Sequence, residues 1–264
     1  MIIRQTPGFK KGYNEIIATD RIHPEMLMDF GILSMGKGEN FRDDSRFEKS
    51  YLLLSGKVKL IWGKESRVIN RKNCFDENPW CLHVSKDTAV EIEGFGESEI
   101  AIIRTENETV FEPKLYEPSE CNVEERGKGT MKETSTRLVK TIFDNSNAPY
   151  SNLVLGEVIG FPGKWSSYPP HHHPQPEIYF YKFFPENGFG FSELGDDAFK
   201  LRQNDTILIT VGQTHSQATS PGHAMYYLWV IRHLEGGRYT TPTFLDEYKW
   251  LMDERANIWP DKKA

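Results

Sequence analysis

From Tyr168 to Phe183 the chain reads YPPHHHPQPEIYFYKF, and no other stretch limits the fold as much. Prolines at 169, 170 and 174 remove backbone donors and disfavour helical geometry in the residues before them, so the histidines between them belong to extended chain. In a strand, residues two apart share a face. His171 and His173 are therefore expected on one face, with His172 turned to the other as a non-ligand. Glu177 follows a Pro-Gln-Pro turn at the head of EIYFYKF and can fold back beside them. A fourth imidazole, His215, comes after a second strand-like run, TILIT, at 206–210. The set His171, His173, Glu177 and His215 suits a Zn, Mn, Fe or Ni ion and leaves coordination positions for water or substrate. A histidine run alone is only a compositional hint. The glutamate placed after it, the strand behind it and the fourth histidine together make a metal site within β-structure the expectation.

The rest of the chain carries the same β signal. Between 28 and 104 come ILSM, SYLLLSG, KVKLIWG, WCLHV, AVEIEG and EIAIIRT, separated by Gly, Asn, Asp or Ser, as antiparallel strands joined by turns require. A stretch rich in Glu, Lys, Pro and Asn follows from 105 to 147, containing RGKGT and then STRLVKTIF, a short strand or helical turn. A second series starts near Leu153: LVLGEVIG, EIYFYKFF, GFGFSEL, AFKL, DTILIT and AMYYLWVIRH. Two series of similar size predict a duplicated barrel or sandwich. FEKSYLLLSGKVKLIW laid against PEIYFYKFFPENGFGF sets Glu48 over Glu177, but no H-x-H precedes Glu48. One barrel is thus expected to hold metal and the other to be packing. TFLDEYKWLM spaces Phe244, Tyr248 and Leu251 for one face of a closing helix, with Thr243 and Asp246 at capping-box spacing. The expected division is a metal-free first barrel over 1–120, a linker over 121–150, a metal-binding barrel over 151–242 and a helical tail over 243–264.

Composition excludes more than it selects. A net charge of −6 and a pI near 5.8 give no broad basic surface for nucleic acid. No apolar run approaches the ~20 residues of a membrane helix, and MIIRQTPGFKKGYNE lacks the apolar core of a signal peptide. Cys74, Cys81 and Cys121 form an odd, spread set without a C-x-x-C pair, which fits reduced thiols in a cytoplasmic protein.

H-x-H-x3-E followed by VGQTH at 211–215 resembles the two cupin motifs, which place three histidines and a glutamate on one metal inside a jelly-roll barrel. The fold this implies is all-β: a bicupin, two tandem jelly-roll β-barrels with a short C-terminal helix. More narrowly, WSSYPPH, NGFGF, the QTH turn and PGHAMYYLWV resemble the KduI/IolB isomerase family. YLLLSGKV, Pro79-Trp80 and EIAII match the degenerate first barrel of that family. Two turns depart from the cupin pattern, at Gly188 and Thr210, and the connection between His173 and Glu177 is shorter than is typical of the IolB enzymes.

The resemblance implies a metal-dependent aldose–ketose isomerase using one divalent ion, Zn or Mn, held by His171, His173, Glu177 and His215. The implied reaction converts 5-deoxy-D-glucuronate to 5-dehydro-2-deoxy-D-gluconate in myo-inositol catabolism. Alternatives are the KduI reaction on 4-deoxy-L-threo-5-hexosulose-uronate in pectin breakdown, an Fe cupin dioxygenase, and a non-catalytic sugar-binding bicupin. The implied partner is a small deoxy-uronate, with a homo-oligomer an open possibility. By strand alternation Tyr179 and Tyr181 share the face of Glu177, and Gln213 that of His215, making these three the expected substrate contacts. Lys182 is expected to face away. Arg126, Arg137, Lys164 and Arg202 are the cations available for a substrate carboxylate, and the general base is not assigned.

Overall fold

A computed structural model describes residues 1–5 and 8–260; residues 6, 7 and 261–264, the end of the expected tail among them, lie outside it. Among the described residues the regular structure is strand except for three short 3₁₀ segments. Nine strands between Gly12 and Tyr116 form one sheet, curled by its longest member, Glu48–Trp62. The start of that strand pairs with Ser98–Thr105 and Cys81–Val84, while its end pairs with Glu65–Arg71 and Val90–Gly94. Its bend falls near Gly56, at a φ of 99°, where a Cβ would collide with the backbone of Glu97 and Ser98. Only glycine satisfies both conditions. Leu33, Tyr51, Leu53, Val58, Leu60 and Ile92 fill the inside of this first barrel.

The second half is built from a seven-stranded and a five-stranded sheet. The larger has Glu177–Phe184, Ala224–Arg232 and Leu153–Gly160 at its centre. Ile2–Ile3, from the amino terminus, forms one edge of it. Asn122–Arg126 and Arg137–Phe143, from the segment expected to be a linker, form the other. Alternation along Glu177–Phe184 gives this sheet two unlike faces. Ile178 and Phe180 pack with Phe30, Leu52 and Ile103 of the first half, a core shared by both halves. Tyr179 and Tyr181 point the other way, into the second barrel with Val158, Ile207 and Tyr227. Lys182 lies on the side away from that barrel, as expected, its Nζ 2.6 Å from Glu99 of the first half.

A buried ion pair joins the halves. Arg71 donates through both terminal nitrogens to Glu157 at 2.7 and 2.8 Å, and the Tyr226 hydroxyl donates to the same carboxylate at 2.8 Å. Both charged side chains are fully buried.

The closing helix differs in detail from its sequence pattern. Thr243–Phe244 is a strand paired with His171 and His172, so Thr243 cannot cap. The helix is a 3₁₀ segment, Asp246–Met252, with Leu245 at its N-cap and no side-chain cap bond. Leu245 N donates to Pro170 O at 3.2 Å and Tyr248 N to Leu245 O at 3.0 Å, the bonds that open the segment.

Candidate metal centre

Trp165–His172 runs antiparallel to His215–Thr219, and the register places His171 opposite His215. The register shifts between Ser166 and His171, and Ser167 takes a φ of 50°, a backbone state that costs a non-glycine residue about 1 kcal/mol or more. Bulges of this kind re-aim side chains, and Ser167 and His171 both come to the wall of one cavity. The strand stops at His172, so His173 sits in the turn beyond it, and Glu177 opens the next strand in the facing sheet.

His173, Glu177 and His215 converge, each offering one ligand atom within 4.8 Å of the other two. Glu177 Oε2 lies 3.0 Å from His173 Nε2 and 3.3 Å from His215 Nε2. His171 stands beside this trio: its ring meets that of His215 edge to face with centroids 4.4 Å apart.

The hydrogen bonds behind the rings set their tautomers. His171 donates from Nδ1 to Pro169 O at 3.2 Å, His173 to Gln175 O at 2.9 Å, and His215 to Gln213 O at 3.0 Å. A neutral imidazole has one N–H, so in the neutral form each ring presents a lone pair at Nε2. Burial, reinforced by the adjacent His215, takes His171 down to about 3 and keeps it neutral. Burial pushes the Glu177 carboxyl up, but its contacts with His173 and His215 prevail and hold it at about 2. Those contacts need protons on the two rings; with the rings neutral, a cation takes the place of the protons between them and the carboxylate. His215 Nε2 is buried with no hydrogen-bond partner, a state that costs ~1–3 kcal/mol if nothing fills it. Nitrogen and carboxylate donors, with each ring oriented from behind by a carbonyl, suit a divalent metal ion.

A cavity of about 130 Å³ adjoins the cluster. Tyr179 lines it, its hydroxyl 3.2 Å from Ser167 Oγ. Tyr181 and Gln213 are engaged elsewhere. The Tyr181 hydroxyl donates to Gln217 at 2.6 Å, deeper in the barrel. Gln213 Oε1 accepts from the Thr210 amide at 3.0 Å and hydroxyl at 2.7 Å, closing its own turn off the cavity wall. Of the four candidate cations, Arg126 and Arg137 line the cavity, whereas Lys164 donates to Glu133 O and Arg202 borders a separate surface cleft.

Tyr227 and Trp229 from the late strand, and Tyr239 and Phe244 from the segment after it, complete the wall. Tyr227 shares its hydroxyl with Ser166 and Ser167. The Trp229 ring lies where a Cβ on Gly156 would be, so that glycine leaves room for the indole. Tyr239 packs 5.1 Å from His173, with its amide donating to His233 Nδ1 at 2.9 Å. Phe244 packs 5.6 Å from His171. Burial raises the hydroxyls of Tyr179 and Tyr227 above the usual phenol value, so both stay protonated donors. Burial likewise raises the Cys74 thiol to about 12 and Cys121 to about 11, against a nucleophilic role for either.

The KduI/IolB family profile matches residues 2–251. A 5-deoxy-glucuronate isomerase of Geobacillus kaustophilus is 27% identical over 260 residues, covering 89% of this chain and 91% of the relative. The enzyme of that name from Bacillus subtilis strain 168 is 25% identical over 223 residues, covering 77% and 80%. An IolB-like protein of Salmonella typhimurium LT2 superposes with a TM-score of 0.85 at 21% identity, covering 96% and 99% of the two chains. Bacillus subtilis oxalate decarboxylase superposes at 0.65 and 10% identity, covering 95% of this chain and 81% of that one, a likeness of fold alone. Fold and sequence agree: the chain belongs to the KduI/IolB family.

Proposed function

We propose that this protein is a metal-dependent aldose–ketose isomerase that converts 5-deoxy-D-glucuronate to 5-dehydro-2-deoxy-D-gluconate. The observation that carries the proposal is the convergence of imidazole nitrogens and one carboxylate beside a cavity. The names of the family's relatives point the same way. His173, Glu177 and His215 would hold the ion with His171 beside them, and zinc or manganese is the expected metal. A bound divalent ion supplies charge stabilisation to substrate oxygens as the C–H beside the carbonyl is lost.

The chain's own groups do the rest. Tyr179 and Tyr227, protonated and held by Ser166 and Ser167, donate to substrate oxygens. Trp229, Tyr239 and Phe244 give the cavity an apolar wall, and a low-dielectric wall strengthens polar contacts made beside it. Tyr179 is thus retained as a substrate contact, whereas Tyr181 and Gln213 act behind the wall. Among the described residues no helix is long and apolar enough to cross a membrane, and three free thiols favour a cytoplasmic setting. Elemental analysis of the purified protein, with turnover on 5-deoxy-D-glucuronate and on the pectin-derived diketouronate, tests the reading. About one divalent ion per chain and preference for the first substrate support it. Oxygen uptake with bound iron, or a metal-replete protein that turns over neither sugar, rules it out.

A further inference from the structure

We propose that Arg137, seconded by Arg126, is the carboxylate-binding end of the cavity and fixes which way round an acidic sugar enters. The inference rests on the isomerase reading for the identity of the sugar, but its geometry stands separately.

Three arginines are buried among the described residues: Arg71, Arg104 and Arg137. Arg71 holds Glu157 and Arg104 holds Asp43, at 2.7 Å in each case. Arg137 holds no acid. Its one hydrogen bond goes from Nη1 to Ser135 O at 2.8 Å, which leaves most of its five donors free. A guanidinium taken out of water without a counter-charge is strongly disfavoured, and this one lines the cavity beside the metal candidates.

Arg126 compounds the imbalance. The ladder sets it directly opposite Arg137, so the two share a face, and like charges in that position repel. Arg126 is partly compensated by Glu124 at 2.9 Å. Among the described residues no carboxylate compensates Arg137, and an anion arriving in the cavity would. A planar guanidinium matches a carboxylate through paired parallel hydrogen bonds. Glu177 is the one carboxylate on the cavity wall, and it is held by His173 and His215. The cavity is therefore polarised, with ligand lone pairs at one end and an unpaired guanidinium on its wall. An acidic sugar binds with its carboxylate on Arg137 and its carbonyl end toward the imidazoles.

The test uses the full-length, metal-loaded protein and two unreactive probes. One is the 5-deoxy-glucuronate analogue with its aldehyde reduced to the alcohol; the other is the carboxamide of that compound. Calorimetry on wild type should give a preference for the acid of about 100-fold, the scale expected for a buried charge pair. Arg137→Met should abolish that preference while leaving amide binding and metal content unchanged. Arg137→Lys, which keeps the charge and loses the fork, should recover part of it, and it also serves as the folded variant should Arg137→Met fail to fold. Equal loss of acid and amide binding would make Arg137 a structural residue. An acid preference surviving in Arg137→Met or absent from wild type would overturn the inference outright. Acid preference through Arg137 without turnover of the deoxy-uronate would retain this inference and reject the isomerase reading.

Discussion

Each half of the molecule begins its principal strand on a buried glutamate that faces an imidazole. Glu48 lies 2.8 Å from His83 Nε2, and Glu177 lies 3.0 Å from His173 Nε2. The surroundings then diverge. Both oxygens of Glu48 are saturated by protein donors: Oε1 by His83 and Ser151, Oε2 by Asn107 at 2.7 Å and the Asn152 amide at 2.9 Å. His83 Nδ1 has no partner, so this ring donates through Nε2, and it stacks on Phe143 with centroids 4.4 Å apart. At Glu177 the roles reverse. The imidazoles donate from Nδ1 to carbonyls, so in their neutral form they turn lone pairs toward the carboxylate. The same pair of residue types is a closed lock in one barrel and an open ligand set in the other. The choice is made by what touches Nδ1.

The largest test of this contrast is on activity. His173→Ala should lose its bound metal and at least about 10²–10³-fold in turnover, while circular dichroism and melting stay near wild type, because the barrel is complete without that side chain. Retained metal and activity would place the ion elsewhere. Next comes Glu48→Ala, which takes the acceptor away from four donors. Urea unfolding should show a loss of ~3–5 kcal/mol with metal content unchanged, and metal loss in that variant would erase the distinction between the barrels.

The acid limb of stability sharpens the comparison further. Burial pushes the Glu48 carboxyl up, but His83, Ser151 and Asn152 outweigh it and hold the group below its usual 4.5. A carboxylate lowered by folding stabilises fully above its unfolded value and loses that contribution as pH falls through its folded value. The stability gap between wild type and Glu48→Gln should therefore be widest near neutrality and shrink below 4.5. A gap that grows on the acid side would mean that Glu48 is protonated in the fold, and a gap independent of pH that folding leaves its pKa unshifted. The smallest effect belongs to Gln213. Removing its bonds to Thr210 in Gln213→Ala should cost ~1 kcal/mol of stability and leave KM within about 2-fold, because the side chain closes a turn. A large rise in KM would return Gln213 to the substrate.

Local pattern carried the architecture well. Alternation along EIYFYKFF separates Ile178 and Phe180 from Tyr179 and Tyr181, and the Glu48–Glu177 correspondence survives as two buried carboxylates. What pattern could not reach lies in contacts between distant segments. The partners of Glu48 at 107, 151 and 152 come from outside its barrel strands, and no periodicity announces them. Tyr239 and Phe244 reach the cavity from a segment after the last long strand, where Thr243–Phe244 was drawn into a ladder that its capping-box spacing did not suggest. Arg137 looked like one of four interchangeable surface cations. Burial and the lack of a counter-charge, which set it apart, are properties of the fold alone.

X-ray absorption at the metal edge of the purified protein, compared with His215→Ala, addresses the central claim most directly. The account predicts about one divalent ion per chain with imidazole nitrogen and carboxylate oxygen neighbours, and loss of the ion in the variant. A protein that binds no metal on reconstitution, or binds it undiminished without His215, would contradict it.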